Sequence, residues 1–114
     1  MPIKEKLLGQ VDVLSIQGRL MGGPETTEIH TAIKSALEKK VNHFVIDLKD
    51  VEWMGSVGIG ILICCLTTVR NAGGELKLSG LSEKMMRLLM ITKLEHVFEI
   101  HPQADQAAYS FNLQ

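Results

Sequence analysis

The sequence predicts a single α/β domain over residues 1–114, built on a small, mostly parallel sheet with crossover helices. Two observations carry this. Short apolar runs alternate with longer segments of helical period, in the order strand, strand, helix, strand, helix, strand, helix, strand, helix; such alternation requires crossovers, and crossovers make neighbouring strands parallel. The chain of 114 residues also suits one domain that buries roughly two-thirds of its unfolded surface.

Ile3 to Leu8 is a weak first strand ended by Gly9, and Val11, Val13, Leu14 and Ile16 form a second, stopped at Gly18. Gly22-Gly23-Pro24 then breaks the chain, and proline suits the first turn of a helix. Ile29, Ala32, Ile33, Ala36 and Leu37 recur on one helical face, with Lys39-Lys40 where positive charge suits the dipole. Phe44-Val45-Ile46 with Leu48 is a continuous apolar run, as in a central strand covered on both faces. Ser56 to Arg70 is a helix apolar almost all round, the pattern of a buried one, and it ends at Gly73-Gly74. Leu76 and Leu78 alternate with Lys77 in the next strand. Ser82 reads as an N-cap, and Met85, Leu88, Leu89 and Thr92 as the inward stripe of the third helix. Val97 to Ile100 is a brief last strand, and Pro102 starts a terminal helix through Ala107, Ala108 and Phe111.

Composition excludes several function classes. Hydrophobic residues at 46% and charged residues at 22% belong to a globular chain, not a disordered one. Net charge is −1 and the 12 basic residues are scattered, so the footprint of a nucleic-acid binder is missing. The longest apolar stretch, Val57 to Leu66, is far short of the ~20 residues that cross a bilayer. The N-terminus lacks the apolar core of a signal peptide, and adjacent Cys64 and Cys65 read as reduced, buried thiols. A cytoplasmic location is therefore expected, without membrane insertion.

The segment from Asp47 to Gly60 is the one that suggests chemistry, and three enzyme motifs fail against it. Gly55 and Gly60 have P-loop spacing, but Ile61-Leu62 stand where Lys and Ser/Thr are required. Gly55, Gly58 and Gly60 come in the wrong order for a dinucleotide fingerprint, and Met54 replaces the glycine of a nucleophile elbow. The four histidines, His30, His43, His96 and His101, are dispersed with no visible acid partner and read as surface or strand-end residues. No catalysis, metal or cofactor is expected. What remains is Ser56 at the start of a helix, either an ordinary N-cap or a hydroxyl placed for phosphorylation, since free helix amides accommodate a phosphate.

Asp47-Leu48-Lys49-Asp50-Val51, Met54-x-Ser56-x-Gly58-x-Gly60 and Gly73-Gly74 together resemble the STAS domain of bacterial anti-sigma factor antagonists. Gly18-x-Leu20, Ser82 through Leu89, and Ala104 to Ala107 fit the same pattern, so the resemblance spans nearly the whole chain. It implies a STAS-like fold: a small mixed, mostly parallel sheet, with about four helices packed mainly on one side and a loop-and-helix surface around Ser56. It also implies binding to an anti-sigma factor that is itself an ATP-dependent serine kinase, phosphorylation at Ser56, and reset by a serine phosphatase. The implied partner surface is Met21, Gly22, Gly23, Met54, Gly55, Val57, Gly58 and Ile59, on a monomer or weak homodimer. Three positions depart from the family pattern: Gly55 replaces an aspartate, Val57 a second hydroxyl residue, and Met21 a frequent acidic residue. Alternatives are a STAS scaffold or transporter-regulatory module that is not phosphorylated, and a domain sensing a small ligand or nucleotide.

Overall fold

The computed structural model describes residues 3–21 and 24–113. Its elements follow the expected order: β1 (Ile3–Leu8), β2 (Val11–Leu20), α1 (Pro24–Glu38), β3 (His43–Met54), α2 (Ser56–Asn71), β4 (Glu75–Ser79), α3 (Glu83–Ile91), β5 (Glu99–His101) and α4 (Ala104–Ser110), with a 3₁₀ turn at Phe111–Leu113. The five strands lie side by side in chain order. β1 and β2 are an antiparallel hairpin about Gly9, which takes the left-handed φ of +65°, and every later pair is parallel.

This order explains the layers. Right-handed crossovers that all step in one direction across a sheet place their helices on one face. α1, α2 and α3 accordingly share a core with Leu14, Ile16, Phe44, Ile46, Leu76 and Leu78. α4 follows the last strand and covers the other face, where Ala107, Ala108 and Phe111 meet Val11, Val13 and Val45.

Ser82 caps α3 as expected, its hydroxyl accepting from Met85 N–H at 3.2 Å. Several boundaries differ, for physical reasons. β2 does not stop at Gly18: that residue lies in a bulge at φ +92°, and the strand resumes through Leu20. β3 continues past Leu48 to Met54, because β2 continues beside it. Val97 and Phe98 precede β5 in a turn, and Phe98 is buried in the core. α4 starts two residues after Pro102, and Phe111 lies in the 3₁₀ turn. Lys39 and Lys40 fall beyond α1, where Lys40 at φ +69° closes the helix, with Val41 N–H donating to the Ala36 carbonyl. Thr92 is the exposed C-cap of α3, its hydroxyl on the Leu88 carbonyl. The helix α2 is not buried all round: Val57, Gly60, Cys64 and Thr67 are exposed.

Lys77, which the sequence places on an ordinary strand position, is fully buried under α4. Its ammonium is 2.6 Å from the Ser110 hydroxyl, 2.9 Å from Glu99 Oε2 and 4.0 Å from the centre of the Phe111 ring. His101 Nε2 lies 2.6 Å from the same Glu99 carboxylate, so this histidine does have an acid partner. The hydrogen bond from His101, ahead of the effects of Lys77, holds the Glu99 carboxyl below the usual carboxylate range.

Candidate functional site

β2 and β3 outrun their neighbours. Among the described residues, β1 pairs with β2 as far as Ile16, and β4 with β3 as far as Asp47. Beyond them β2 and β3 continue as a ribbon with no third strand among the described residues, Gln17 opposite Asp50, Arg19 opposite Trp53 and Leu20 opposite Met54. Register shifts between Ser15 and Gln17 and between Gly18 and Arg19 mark bulges, which increase local twist. The ribbon ends at the Leu20–Met54 pair, so Met21 leaves β2 at the same level at which Gly55 and Ser56 follow β3. The surface around Ser56 is therefore a strand-to-helix junction, with Gly55 as its single connecting residue, and not a loop.

Ser56 is the first residue of α2, one past the cap, and is exposed. Gly55 provides the cap through its carbonyl, which accepts from Ile59 N–H at 3.1 Å, and no side chain caps the helix. The expectation of Ser56 as N-cap is thus corrected by one residue. Its hydroxyl is left facing solvent, beside the N–H groups of Ser56, Val57 and Gly58, which a helix cannot pair internally. The first turn carries no acidic residue.

Two glycines have close neighbours where a Cβ would stand. A Cβ on Gly58 would lie 2.4 Å from Met54 Cγ and 2.7 Å from the Leu20 carbonyl oxygen, so glycine here lets α2 begin directly against the ribbon. A Cβ on Gly55 would lie 2.6 Å from the Trp53 ring, which folds back over this residue. Gly55 has φ −105°, so its own backbone conformation admits any side chain. Gly60 has open space around it and no such role.

The expected partner-surface residues separate into two groups. Met21 (49% exposed) and Val57 (58%) are open to solvent. Met54, Gly58 and Ile59 are buried and support the surface from below, while Gly55 is half-buried beneath Trp53. Gly22 and Gly23 lie outside the described residues. Sequence reasoning passes over Trp53, which is 52% exposed and forms a cleft of about 170 Å³ with Arg19 and Met21. As the single tryptophan of the chain, two positions before the glycine that departs from the motif, it carries a readable signal, since exposed tryptophans are enriched at binding hot spots. Among the described residues no three His, Cys, Asp or Glu side chains are grouped to hold a metal, and no helix is long and apolar enough to cross a membrane.

The STAS domain family model matches residues 6–107. The anti-sigma-B factor antagonist of Listeria monocytogenes is 33% identical over 104 residues, covering 86% of this chain and 84% of that protein. The antagonist of the same name from Bacillus subtilis is 40% identical over 60 residues, a match spanning 53% of this chain and about half (55%) of that protein. Among solved structures, the unphosphorylated form of the anti-sigma factor antagonist SpoIIAA superposes with a TM-score of 0.80 at 14% identity, covering 99% of this chain and 98% of that one, a likeness of fold. With the STAS domain model matched over residues 6–107 of 114, this chain is a member of the STAS domain family.

Proposed function

We propose that this protein is an anti-sigma factor antagonist of a bacterial partner-switching system, acting by binding and not by catalysis. Its partner is an anti-sigma factor that is also a serine kinase, engaged through the surface around Ser56; phosphorylation of Ser56 ends the complex and a serine phosphatase restores it. The observation that carries this reading is Ser56 itself, an exposed, uncapped hydroxyl at the first position of a 16-residue helix, between exposed Met21, Trp53 and Val57. A phosphate there would add a charge of about −1.5 to −2 next to unpaired amide groups, which hold it in place without moving the fold. The same charge would then stand on the contact surface itself, and desolvating it opposes binding.

The sequence similarity to the Listeria and Bacillus anti-sigma-B factor antagonists supports the partner class. The test is capture from the native cell with wild-type, Ser56→Ala and Ser56→Glu proteins as bait, together with phosphosite mapping. A serine kinase of the anti-sigma type retained by wild type and Ser56→Ala, and lost by Ser56→Glu, is the expected result. Equal retention by all three, with no phosphate on Ser56, would replace the switch by a scaffold of constant affinity.

A further inference from the structure

The Asp47–Val51 run belongs to the family pattern, yet Asp47 and Lys49 lie on the α4 face of the sheet and share no residue with the Ser56 surface. There they line a cleft of about 450 Å³ between the middle of β1, β2 and β3 and the start of α4, together with Lys6, Ser15, Val13 and Asp105. The volume is within the range of small-molecule sites.

Asp47 is built into this cleft. It is only 4% exposed, and one carboxylate oxygen, Oδ1, accepts from Lys49 N–H at 3.2 Å and from the Ser79 hydroxyl at 3.3 Å. Gly80, at φ +72°, gives it room: a Cβ there would lie 2.7 Å from that same oxygen. The other oxygen, Oδ2, has no hydrogen-bond partner among the described residues and is not sealed from solvent. A fixed acceptor beside the Ser15 hydroxyl suits a ligand that donates hydrogen bonds. The exposed ammonium groups of Lys6 and Lys49 at the rim suit an anion, and without a third acidic or imidazole ligand the cleft does not suit a metal.

We propose that this cleft binds a small hydroxylated anion, a short polyol bearing phosphate or carboxylate, with hydroxyls on Asp47 and Ser15 and the anionic group at Lys6 and Lys49. The site is independent of the phosphorylation proposed at Ser56. It is tested by nitrogen-15 NMR of the full chain titrated separately with glycerol 3-phosphate, glycerate, glycerol and inorganic phosphate. Saturable shifts at the amides of Ser15, Lys49 and Asp105 are expected below about 10 mM of one of the two hydroxylated anions, with glycerol and phosphate alone each weaker. Whether glycerol 3-phosphate or glycerate binds then identifies the anionic group. Asp47→Asn, whose amide oxygen can still accept from Lys49 and Ser79, and Lys49→Met, at an exposed position, should each weaken binding by roughly tenfold or more, the loss of one charge-assisted contact. The proposal is overturned by the absence of saturable shifts with both hydroxylated anions, by shifts that both variants leave unchanged, or by phosphate alone binding as tightly as glycerol 3-phosphate.

Discussion

Asp12→Asn should give a protein whose stability advantage over wild type grows as pH rises. Asp12 lies on the α1 face of β2, 2% exposed, beside Glu5, Leu7 and Lys39 at a cavity of about 270 Å³, and its Oδ1 has no hydrogen-bond partner. Burial first, then the hydrogen bond and negative charge of Glu5, push its pKa from 3.8 up to about 7, against a smaller opposing effect of Lys39. A carboxyl whose folded pKa is raised favours folding while protonated. Its contribution is whole below the unfolded value and is lost as pH climbs to the folded one. At about 1.4 kcal/mol per pH unit, wild type should lose roughly 2–3 kcal/mol between about pH 5 and about pH 8 from this group alone. Asparagine has the same shape and does not titrate. Urea unfolding of both proteins at the two pH values reads the effect of Asp12 and its interaction with Glu5, because groups remote from them, including Glu99 with its window at lower pH, are common to both. A gap that stays constant with pH, or that narrows as pH rises, would show that Asp12 is ionised and paired in the folded protein and refute the reasoning.

Gly58→Ala should lose about 1–3 kcal/mol by urea unfolding, because the clash with the Leu20 carbonyl outweighs the helix-propensity gain of about 1 kcal/mol, whereas Gly60→Ala, in open space on the same helix, should gain about 0.5–1 kcal/mol. Equal effects of the two would sink the packing account of Gly58. Gly55→Asp should fold, since φ −105° admits a side chain, but must swing the Trp53 ring away, so the emission of the single tryptophan should shift. Combined with Val57→Ser it restores the family pattern, and phosphate incorporation at Ser56 by a kinase of this type should rise roughly 10–150-fold, the worth of one charge-assisted contact; no gain over wild type would show that contact to be irrelevant. Thiol labelling of the native protein should modify Cys64 quickly and spare Cys65, which is fully buried and whose pKa burial pushes up to about 12. Fast reaction of both would contradict the packing of α2.

The helices over the main core are legible in the sequence because their signal is local. Ile29, Ile33 and Ala36 repeat at helical spacing and are buried together, and Ser82 caps the helix it precedes. The junction at Ser56 is legible for the same reason, since Met54, Gly55 and Ser56 are chain neighbours whatever the rest of the fold does. Lys77 and Asp12 are not. A charged residue alternating with leucine or valine in a strand has the pattern of a solvent-facing position, and its burial depends on which helix later covers that face. For Lys77 that cover is α4 with the 3₁₀ turn, which crosses to the back of the sheet only after β5 has ended it. The ribbon is hidden by a related ambiguity. Lys49, Asp50 and Glu52 are exposed and read as loop, because a two-stranded extension lacks the neighbours that would bury a face. Residues joined by register, and not by chain order, therefore escape: Leu20 beside Met54 at the end of the ribbon, Ser15 beside Asp47 on the α4 face. The two proposals differ in the same way. The phosphoacceptor can be inferred from a motif, but the cleft exists only once β2 and β3 are paired.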